Sequence, residues 1–498
     1  MWRRLKIALL CWLIAIAAMT GTASAEPAVE HDFLAKTLAG LSGSRILEDV
    51  ARLSGPDFNG RQTGTADDLR SGLFVADRFR SLGLAMPQSE ALGSILQGWM
   101  LREPVTAGRI EAQPSLHVFA GPDSSAARLG ADYLPILDSP SVNVTAPIVF
   151  VGYGIADPAR GFDEYAGLDV RNRIVLFLRG KPERYPVPVT QTDKERVARE
   201  KGAVAFLTAT GPILSAYEAR RGISGTPSAL YTQPDGDRPL PGAWISTDVA
   251  KQILAAEEHS LLEVQEQLNR AVPRSFSTGV LARLAWESTQ EPGTLHNVLG
   301  ILPGRESGHG AEALVIGAHR DHFGRQAGLL FPGADDNASG TAVLLEVARV
   351  LTASGVKPKR TILFISFSGE EQGLLGSRLY VSHPLVPLAR TSAMINVDHA
   401  GIGNGKLTVG VTGLSKEMAI EAGRHAGLAD LIEVFGFFPG GDHVPFKEAG
   451  VPTITVVSAG VHPYFHQPTD TVETVKPEIL ERVARYVAAL SWQLANAP

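Results

Sequence analysis

Gly333-Ala334-Asp335-Asp336-Asn337-Ala338-Ser339-Gly340 is the stretch around which this chain is organised. It predicts a glycine-bounded turn with two adjacent acids, followed by a helix from Gly340 to Ala353. Two acids before a helix are usually a solvated cap. The alternative is that one carboxylate bridges two metal ions while its neighbour turns away, and we assign the bridge to Asp336.

Four further blocks supply histidine and carboxylate groups, most of them where an apolar run ends. Such runs predict strands, and their alternation with helices predicts an α/β fold with a mixed, mostly parallel sheet flanked by helices. Ligands in such folds collect at the carboxyl ends of strands, where these groups stand. The blocks are Gly317–His322, Ser368–Gly373, Asn396–His399 and His466–Thr471.

The first and second of these blocks each contain a pair with separate expected roles. His319 can bind zinc through one ring nitrogen while Asp321 holds the other, although a His-x-Asp alone is more often structural. Glu371 is assigned as a metal ligand and Glu370 as the general base, because partial desolvation brings a carboxyl pKa towards working pH. Standing alone, the two glutamates would be solvated loop acids.

Asp398 and His466 complete the ligand set. The first metal ion then takes His319, Asp336 and Asp398, and the second takes Asp336, Glu371 and His466. Such a pair lowers the pKa of a shared water and stabilises a developing oxyanion. On chemistry alone an alternative histidine set remains open: His322, His399, His443 and His462.

Length and charge narrow the function classes. The 498 residues are enough for two or three domains. A net charge of −6 without basic clusters argues against nucleic acid as a partner. The chain has no Gly-x-Ser-x-Gly elbow, which disfavours a serine hydrolase.

The first 25 residues have the pattern of a signal peptide. Arg3-Arg4-Leu5-Lys6 is a basic region, the run from Ile7 to Met19 is apolar, and Ala23-Ser24-Ala25 is a small-x-small cleavage site. We therefore expect export to the periplasm or beyond, with no stable membrane anchor after cleavage. The only cysteine, Cys11, lies in this segment, so the mature chain would have no disulfide and no thiolate ligand.

Taken together, the blocks closely resemble peptidase family M28, the zinc aminopeptidases. The matching pieces are Gly-Ala-His-x-Asp-His at 317–322, Gly-Ala-Asp-Asp-Asn-Ala-Ser-Gly at 333–340 and Gly-Glu-Glu at 369–371. The resemblance implies a zinc exopeptidase type of fold, two Zn²⁺ per chain and peptide substrates cleaved at their N-terminus. It implies Glu370 and Asp321 as catalytic residues, and His319 and His466 as the ligand histidines.

The middle of the chain resembles a protease-associated (PA) domain, notably at Gly152-Tyr153-Gly154-Ile155. It has no cluster of histidines and acids, which favours an accessory module. We expect the N-terminal part of a peptidase domain at 26–127, an inserted, β-rich PA-like domain at 128–285, and the metal-binding catalytic part at 286–498.

One departure from the family lies in Gly440–Phe446, where Gly441 replaces a serine that the family often has before Asp-His. The expected substrate contacts are Asp442, His443, Phe446 and Tyr464. The aromatic run Phe435-Gly436-Phe437-Phe438 could line an apolar side-chain pocket, and core packing is an equal alternative.

Other activities compete with the aminopeptidase. A carboxypeptidase or dipeptidase of the same superfamily is the main rival, because specificity lies in loops rather than in metal ligands. A glutaminyl-cyclase-like acyltransferase with one metal, or a binding protein without activity, would be expected to have lost ligands, and none is lost.

Overall fold

The computed structural model describes residues 33–120, 123–215, 218–219, 221–232, 239–306 and 311–497. The expected signal peptide, residues 1–25, lies outside these ranges. Within them, none of the helices combines the length and the apolar content that crossing a membrane requires.

A nine-stranded sheet forms the larger part of the molecule. Its centre is parallel, because Ala313–His319 pairs with Thr361–Phe367 and Thr391–Val397, and Thr391–Val397 pairs with Thr453–Ser458, all in the same direction. Most pairings outside this centre are antiparallel. In spatial order the strands are Leu96–Gln97, Met100–Ile110, Ser288–Leu302, Thr361–Phe367, Ala313–His319, Thr391–Val397, Thr453–Ser458, Leu407–Thr412 and Ile432–Phe435.

The central strands are apolar because both faces of the sheet are covered. Along Ala313–His319, Leu314 and Ile316 join one core cluster, whereas Ala313 and Val315 join another on the opposite face. This is the period of two that a strand imposes on its side chains. The helices of this part are residues 33–39, Gly43–Leu53, Ala66–Ser81, Gly340–Ala353, Leu375–Ser382, Lys416–His425, His443–Glu448 and Pro477–Asn496. The mixed α/β fold predicted from the sequence is therefore confirmed.

An eight-stranded sheet with its own hydrophobic core forms a second unit, residues 115–286. The spatial order is Asp123–Ala126, Ser115–Ala120, Ser275–Trp286, Val142–Val151, Ile174–Leu178, Ala205–Ala209, Gly242–Ile245 and Tyr133–Pro135. Its helices are Gln191–Glu200, Thr247–Ala255 and Leu261–Asn269. The strands begin upstream of the expected boundary at 128, and they end near the one at 285. We call residues 115–286 the eight-stranded unit.

Two short hairpins complete the described strands. Gly324–Gln326 pairs with Leu329–Phe331 just before the turn at 333–340, and Ala156–Asp157 pairs with Phe162–Asp163 in the eight-stranded unit.

The parallel strands carry their C-terminal residues to one edge of the nine-stranded sheet. His319 ends its strand, Ser368 follows Phe367, and Asp398 follows Val397. Because neighbouring parallel strands run in register, these positions meet in space. Burial of the apolar strand side chains, each contributing about 1.5–3 kcal/mol, stabilises a sheet edge at which acidic groups are crowded.

Candidate metal centre

His319, Asp336 and Asp398 form the first group of ligand atoms. The Nε2 atom of His319 lies 3.4 Å from Oδ1 of Asp336 and 3.5 Å from Oδ1 of Asp398. All three residues are buried, and one ligand atom from each falls within a 4.8 Å group that could hold a metal ion. The three residues that the sequence assigns to one metal ion are therefore brought together.

Asp336, Glu371 and His466 form the second group. The Nε2 atom of His466 lies 3.2 Å from Oδ2 of Asp336 and 3.4 Å from Oε2 of Glu371. The two carboxylate oxygens of Asp336 thus face different histidines, Oδ1 towards His319 and Oδ2 towards His466. A carboxylate that joins two metal ions needs this arrangement.

The ring orientation of both histidines suits a metal ion. The Nδ1 atom of His319 faces the backbone oxygen of Asp321 at 3.2 Å, and Nδ1 of His466 faces the backbone oxygen of Ala229 at 2.9 Å. A carbonyl oxygen only accepts, so each Nδ1 carries a proton and Nε2 is the ring atom that could offer a lone pair to a metal ion. This is the usual arrangement of a metal-binding histidine.

Some of these inward-facing atoms have no hydrogen-bond partner. Nε2 of His319 and Oδ1 of Asp398 are both buried and unpartnered among the described residues. Buried polar atoms are nearly always satisfied, so a missing partner indicates an ion or water. Imidazole nitrogen with carboxylate oxygen is a donor set that zinc accepts, and the residues therefore fit a zinc pair.

The two adjacent glutamates at this edge carry an electrostatic penalty, whereas neighbouring histidines, acting against burial, lower the pKa of Asp336 and Asp398. Burial raises the pKa of Glu370 to about 8, with neighbouring Asp442 and Asp398 adding to the effect against the opposing influence of His319. Burial likewise raises the pKa of Glu371 well above its usual range, and Asp336 and Glu370 raise it further. Divalent cations would relieve this crowding, because they favour the ionised carboxylates.

Glu370 stands beside the first group without belonging to it. Its Oε2 atom is 4.0 Å from Nε2 of His319, and 17% of its side chain is exposed. Glu371 turns the other way, towards His466, and its Oε1 atom also contacts Nδ1 of His322 at 2.7 Å. The adjacent glutamates therefore have the separate orientations that a base and a ligand require.

Asp321 contacts both His319 and the two adjacent glutamates. Its carboxylate lies 3.6 Å from Nδ1 of His319 and accepts the backbone N–H groups of Glu370 at 3.3 Å and Glu371 at 3.4 Å. Among the described residues, Asp321 contacts none of the candidate ligand carboxylates. Its contacts are those of a residue that positions His319 and the two glutamates.

The other histidines lie around the centre. His322, Asp336 and Glu371 form a further group of ligand atoms that could hold a metal ion. Nδ1 of His322 lies 2.7 Å from Oε1 of Glu371, and its Nε2 atom is buried without a hydrogen-bond partner among the described residues. His399 and His462 converge on Asp335, with Nδ1 of His462 at 2.7 Å from Oδ2 of Asp335. Because Nε2 of His462 faces the backbone oxygen of Ser458 at 3.0 Å, both of its nitrogens face hydrogen-bond acceptors. Asp335, His399 and His462 form another group of ligand atoms that could hold a metal ion, and in it both nitrogens of His462 already have hydrogen-bonding neighbours.

Asp335 has a structural role that the sequence did not indicate. Besides His462, its carboxylate accepts the backbone N–H of Gly401 at 2.7 Å. The backbone N–H groups of Asp335 and Asp336 in turn donate to the carboxylate of Asp470, at 2.9 and 3.0 Å. Asp335 is thus neither a solvated cap nor a ligand of either group, and its binding partners fix the turn that presents Asp336. Asp470 lies in the block that ends at Thr471, which was the only sequence signal for it.

Of the four residues expected to contact substrate, three lie near the candidate metal centre and one lies in the hydrophobic core. Asp442 and His443 are buried near the first group, and Nε2 of His443 donates to the backbone oxygen of Phe438 at 2.8 Å. Tyr464 lines a narrow cavity beside Asp335 and Asp336. The expectation for Phe446 is wrong, because its fully buried ring packs in the core against Tyr380 at 5.6 Å and has no surface for a substrate.

The aromatic run at 435–438 does line a pocket. Phe435, Phe437 and Phe438 border a cavity of about 640 Å³ that also reaches His399, next to Asp398. Phe437 is 42% exposed, which a core role would not allow. Of the two alternatives for this run, the pocket is the one that the structure contains.

The Gly-rich loop Gly60–Thr65 contacts the centre, which the sequence did not reveal. The hydroxyl group of Thr63 donates to Oδ2 of Asp321 at 2.9 Å. The fully buried guanidinium group of Arg61 donates to the backbone oxygens of Arg320, Pro332 and Gly333 at 2.5, 2.7 and 2.7 Å. One loop therefore joins the segments that carry His319 and Asp336. Backbone acceptors have no residue signature, so only the glycines marked this loop in the sequence.

Comparison with known proteins gives a family for the C-terminal part. Residues 297–491 match the family model described as peptidase family M28. Aminopeptidase YwaD of Bacillus subtilis (strain 168) is 33% identical over 211 residues, which are 40% of this chain and 45% of that protein. A probable glutamate carboxypeptidase VP8 of Zea mays is 26% identical over 475 residues, which are 84% of this chain and 59% of that protein. The chain thus spans about half the length of these curated relatives.

Solved structures extend the likeness to almost the whole fold. An aminopeptidase from Aneurinibacillus sp. strain AM-1 aligns with a TM-score of 0.65 and 22% identity, covering 92% of this chain and 95% of that one. A peptidase M28 precursor from Shewanella amazonensis SB2B aligns with a TM-score of 0.66 and 20% identity, covering 94% and 96%. At these identities the likeness establishes a shared fold.

Removing metal should destabilise the protein, because the buried carboxylates would lose their compensating cations. A ligand held at 1,000 times its Kd contributes about 4 kcal/mol, and we expect a strong chelator to lower Tm by roughly 5–15 °C. Differential scanning calorimetry with the free chelator and with the zinc-loaded chelator measures this effect. Equal Tm values in the two would contradict a metal centre.

Thr63→Val should weaken metal binding, since it removes the hydroxyl group that holds Asp321 while keeping the side-chain shape. Loss of such an outer partner typically lowers metal affinity by about 10-fold to 100-fold. Competition with a chromogenic chelator gives the affinity, and Thr63→Ser, which keeps the hydroxyl group, is the matched control. Unchanged affinity in Thr63→Val would remove Thr63 from the support of the centre.

Proposed function

Since residues 297–491 belong to peptidase family M28, we propose that this chain is an exported dizinc aminopeptidase that removes N-terminal residues from peptides. One observation carries the proposal: the two oxygens of Asp336 face His319 on one side and His466 on the other, at 3.4 and 3.2 Å. A site for a single metal ion would not need this division.

His319, Asp336 and Asp398 would hold one zinc ion, and Asp336, Glu371 and His466 the other. When bound, the pair supplies a water of lowered pKa and charge compensation for the oxyanion that forms at the scissile carbonyl. Asp321 keeps His319 in the tautomer with its proton on Nδ1 and fixes the backbone of both glutamates.

Glu370 would be the catalytic base. Its carboxylate takes a proton from the attacking water and delivers it to the nitrogen of the leaving amine as the peptide bond breaks. Two features support this role: no contact assigns Glu370 to a ligand position beside the first group, and burial raises the pKa of its carboxyl group above the usual range. Partial exposure of its side chain leaves room for water.

The pocket beside His399 would accept the side chain of the substrate residue at the cleavage site. The pocket is bordered by Phe435, Phe437 and Phe438, which suit a bulky apolar side chain. It also reaches His399, the residue after the candidate ligand Asp398. Asp442, His443 and Tyr464 are retained as candidate substrate contacts. The eight-stranded unit would be the protease-associated domain, and residues 1–25 the cleaved signal.

A carboxypeptidase is the second candidate. The observation in its favour is the match to the maize protein named as a probable glutamate carboxypeptidase, which extends over 84% of this chain. Family membership does not decide between the two, because the same ligand set serves both reactions and the loops around it select the peptide end.

Substrates blocked at one end should separate the two candidates. We expect release of chromophore from aminoacyl derivatives with a free amine, and no hydrolysis of N-blocked peptides that keep a free C-terminus. Metal analysis of the same sample should give two zinc equivalents per chain. Hydrolysis of only the N-blocked peptides would identify a carboxypeptidase. The absence of both reactions would refute the exopeptidase assignment.

Glu370→Gln should abolish turnover while keeping the metals. The amide has nearly the same shape but cannot carry the proton, so we expect kcat to fall by about 100-fold to 10,000-fold. Steady-state kinetics and metal analysis measure the two effects, and Glu448→Gln, on the exposed end of a helix, serves as the control for the substitution itself. A variant with wild-type kcat would rule out Glu370 as the base.

A further inference from the structure

Residues 221–232 of the eight-stranded unit cross to the metal-binding edge of the nine-stranded sheet; we call them the bridging segment. They lie between the strands Ala205–Ala209 and Gly242–Ile245. We propose that the bridging segment positions His466, so that the eight-stranded unit completes the second metal group. The inference rests on the proposed dizinc centre and gives the eight-stranded unit a direct part in it.

Two hydrogen bonds join Ala229 to His466. The Nδ1–H group of the imidazole donates to the backbone oxygen of Ala229 at 2.9 Å, and the backbone N–H of Ala229 donates to the backbone oxygen of His466 at 3.0 Å. The first bond sets the tautomer and rotation of the ring, and the second sets the distance of its backbone. Together they direct Nε2 to Asp336 and Glu371.

Gln467 reinforces this contact from the next position. Its side-chain amide nitrogen donates to the backbone oxygen of Pro227 at 2.9 Å and to Oγ of Ser228 at 2.8 Å. Ser228 and Ala229 are 4% and 0% exposed, so water competes poorly for these bonds. Sequence-adjacent residues of the metal-binding loop are thus paired with sequence-adjacent residues of the bridging segment.

The backbone of His466 needs such support. Its φ is +57°, in the left-handed region that a residue other than glycine rarely adopts. A strained conformation persists only when surrounding contacts determine it. Here those contacts come from Ala229 and, through Gln467, from Pro227 and Ser228.

Ring contacts extend the same support. The ring of Phe465 stacks on that of His466 at a centroid distance of 3.6 Å. The guanidinium group of Arg221, also on the bridging segment, lies over the Phe465 ring at 5.1 Å. Ile223 of the same segment packs in a cluster with Phe465. Hydrogen bonds and packing from the bridging segment therefore act on the same loop.

The first metal group is supported differently. The Nδ1 proton of His319 goes to Asp321, two residues away, and Asp321 is held by Thr63. Both partners belong to the part of the chain that forms or flanks the nine-stranded sheet. A change confined to the bridging contacts should therefore weaken the metal ion at His466 and spare the one at His319.

Stepwise metal binding to the full-length chain tests the proposal. In Gln467→Ala, zinc competition with chelators of graded strength should show one equivalent bound with wild-type affinity and the other weakened by about 10-fold to 100-fold. Ser228→Ala removes only one of the two acceptors and should give a smaller change in the same equivalent. Thermal unfolding of the metal-free proteins reports whether each variant is folded before zinc is added.

Gln493→Ala is the matched control, because this glutamine also donates from Nε2 to a backbone oxygen, that of Met418 at 3.1 Å, but from the C-terminal helix. It should leave both affinities unchanged. Equal weakening of the two equivalents in Gln467→Ala, or weakening of neither, would overturn the positioning role. A wild-type protein that binds fewer than two equivalents would overturn the dizinc centre itself, which is a separate outcome.

Discussion

The electrostatic repulsion among buried carboxylates at one sheet edge is the constraint on which the rest of the structure depends. Asp336, Glu371 and Asp398 point towards one another with little exposure to water, and Glu370 stands beside them. Removing a charge from water costs several kcal/mol even after relaxation. The two histidines offset only part of this cost. The folded sheet therefore holds the acids together at a cost in stability, which bound cations would relieve.

Long-range contacts hold this arrangement more than local ones do. Thr63 holds Asp321 from 258 positions away, and Ala229 holds His466 from 237 positions away. Arg61 ties the backbone just after His319 to the backbone at the start of the acidic turn. Consequently the candidate centre depends on distant parts of the folded chain, even though its candidate ligands all lie between residues 319 and 466.

The convergence of the candidate ligands could be predicted from the sequence because their chemistry is unusual and their places at strand ends follow from apolar runs. The hydrogen bonds between Ala229 and His466 could not be predicted, because a backbone carbonyl group is present in every residue and leaves no trace in the sequence. The structural role of Asp335 could not be predicted for a related reason: its neighbours His462 and Gly401 become adjacent only in the folded sheet. Phe446 was misplaced because an aromatic residue after Asp-His fits a pocket or a core equally well, and only the packing of Tyr380 decides between them.

The bridging segment also bears on how such chains can be recombined. A domain joined to an enzyme only by linkers can be exchanged among relatives as an independent module. The eight-stranded unit cannot, if the two hydrogen bonds between Ala229 and His466 are to survive the exchange. A chimera would need residues 221–232 and the loop at 462–467 taken from the same parent, although the two segments are far apart in the chain.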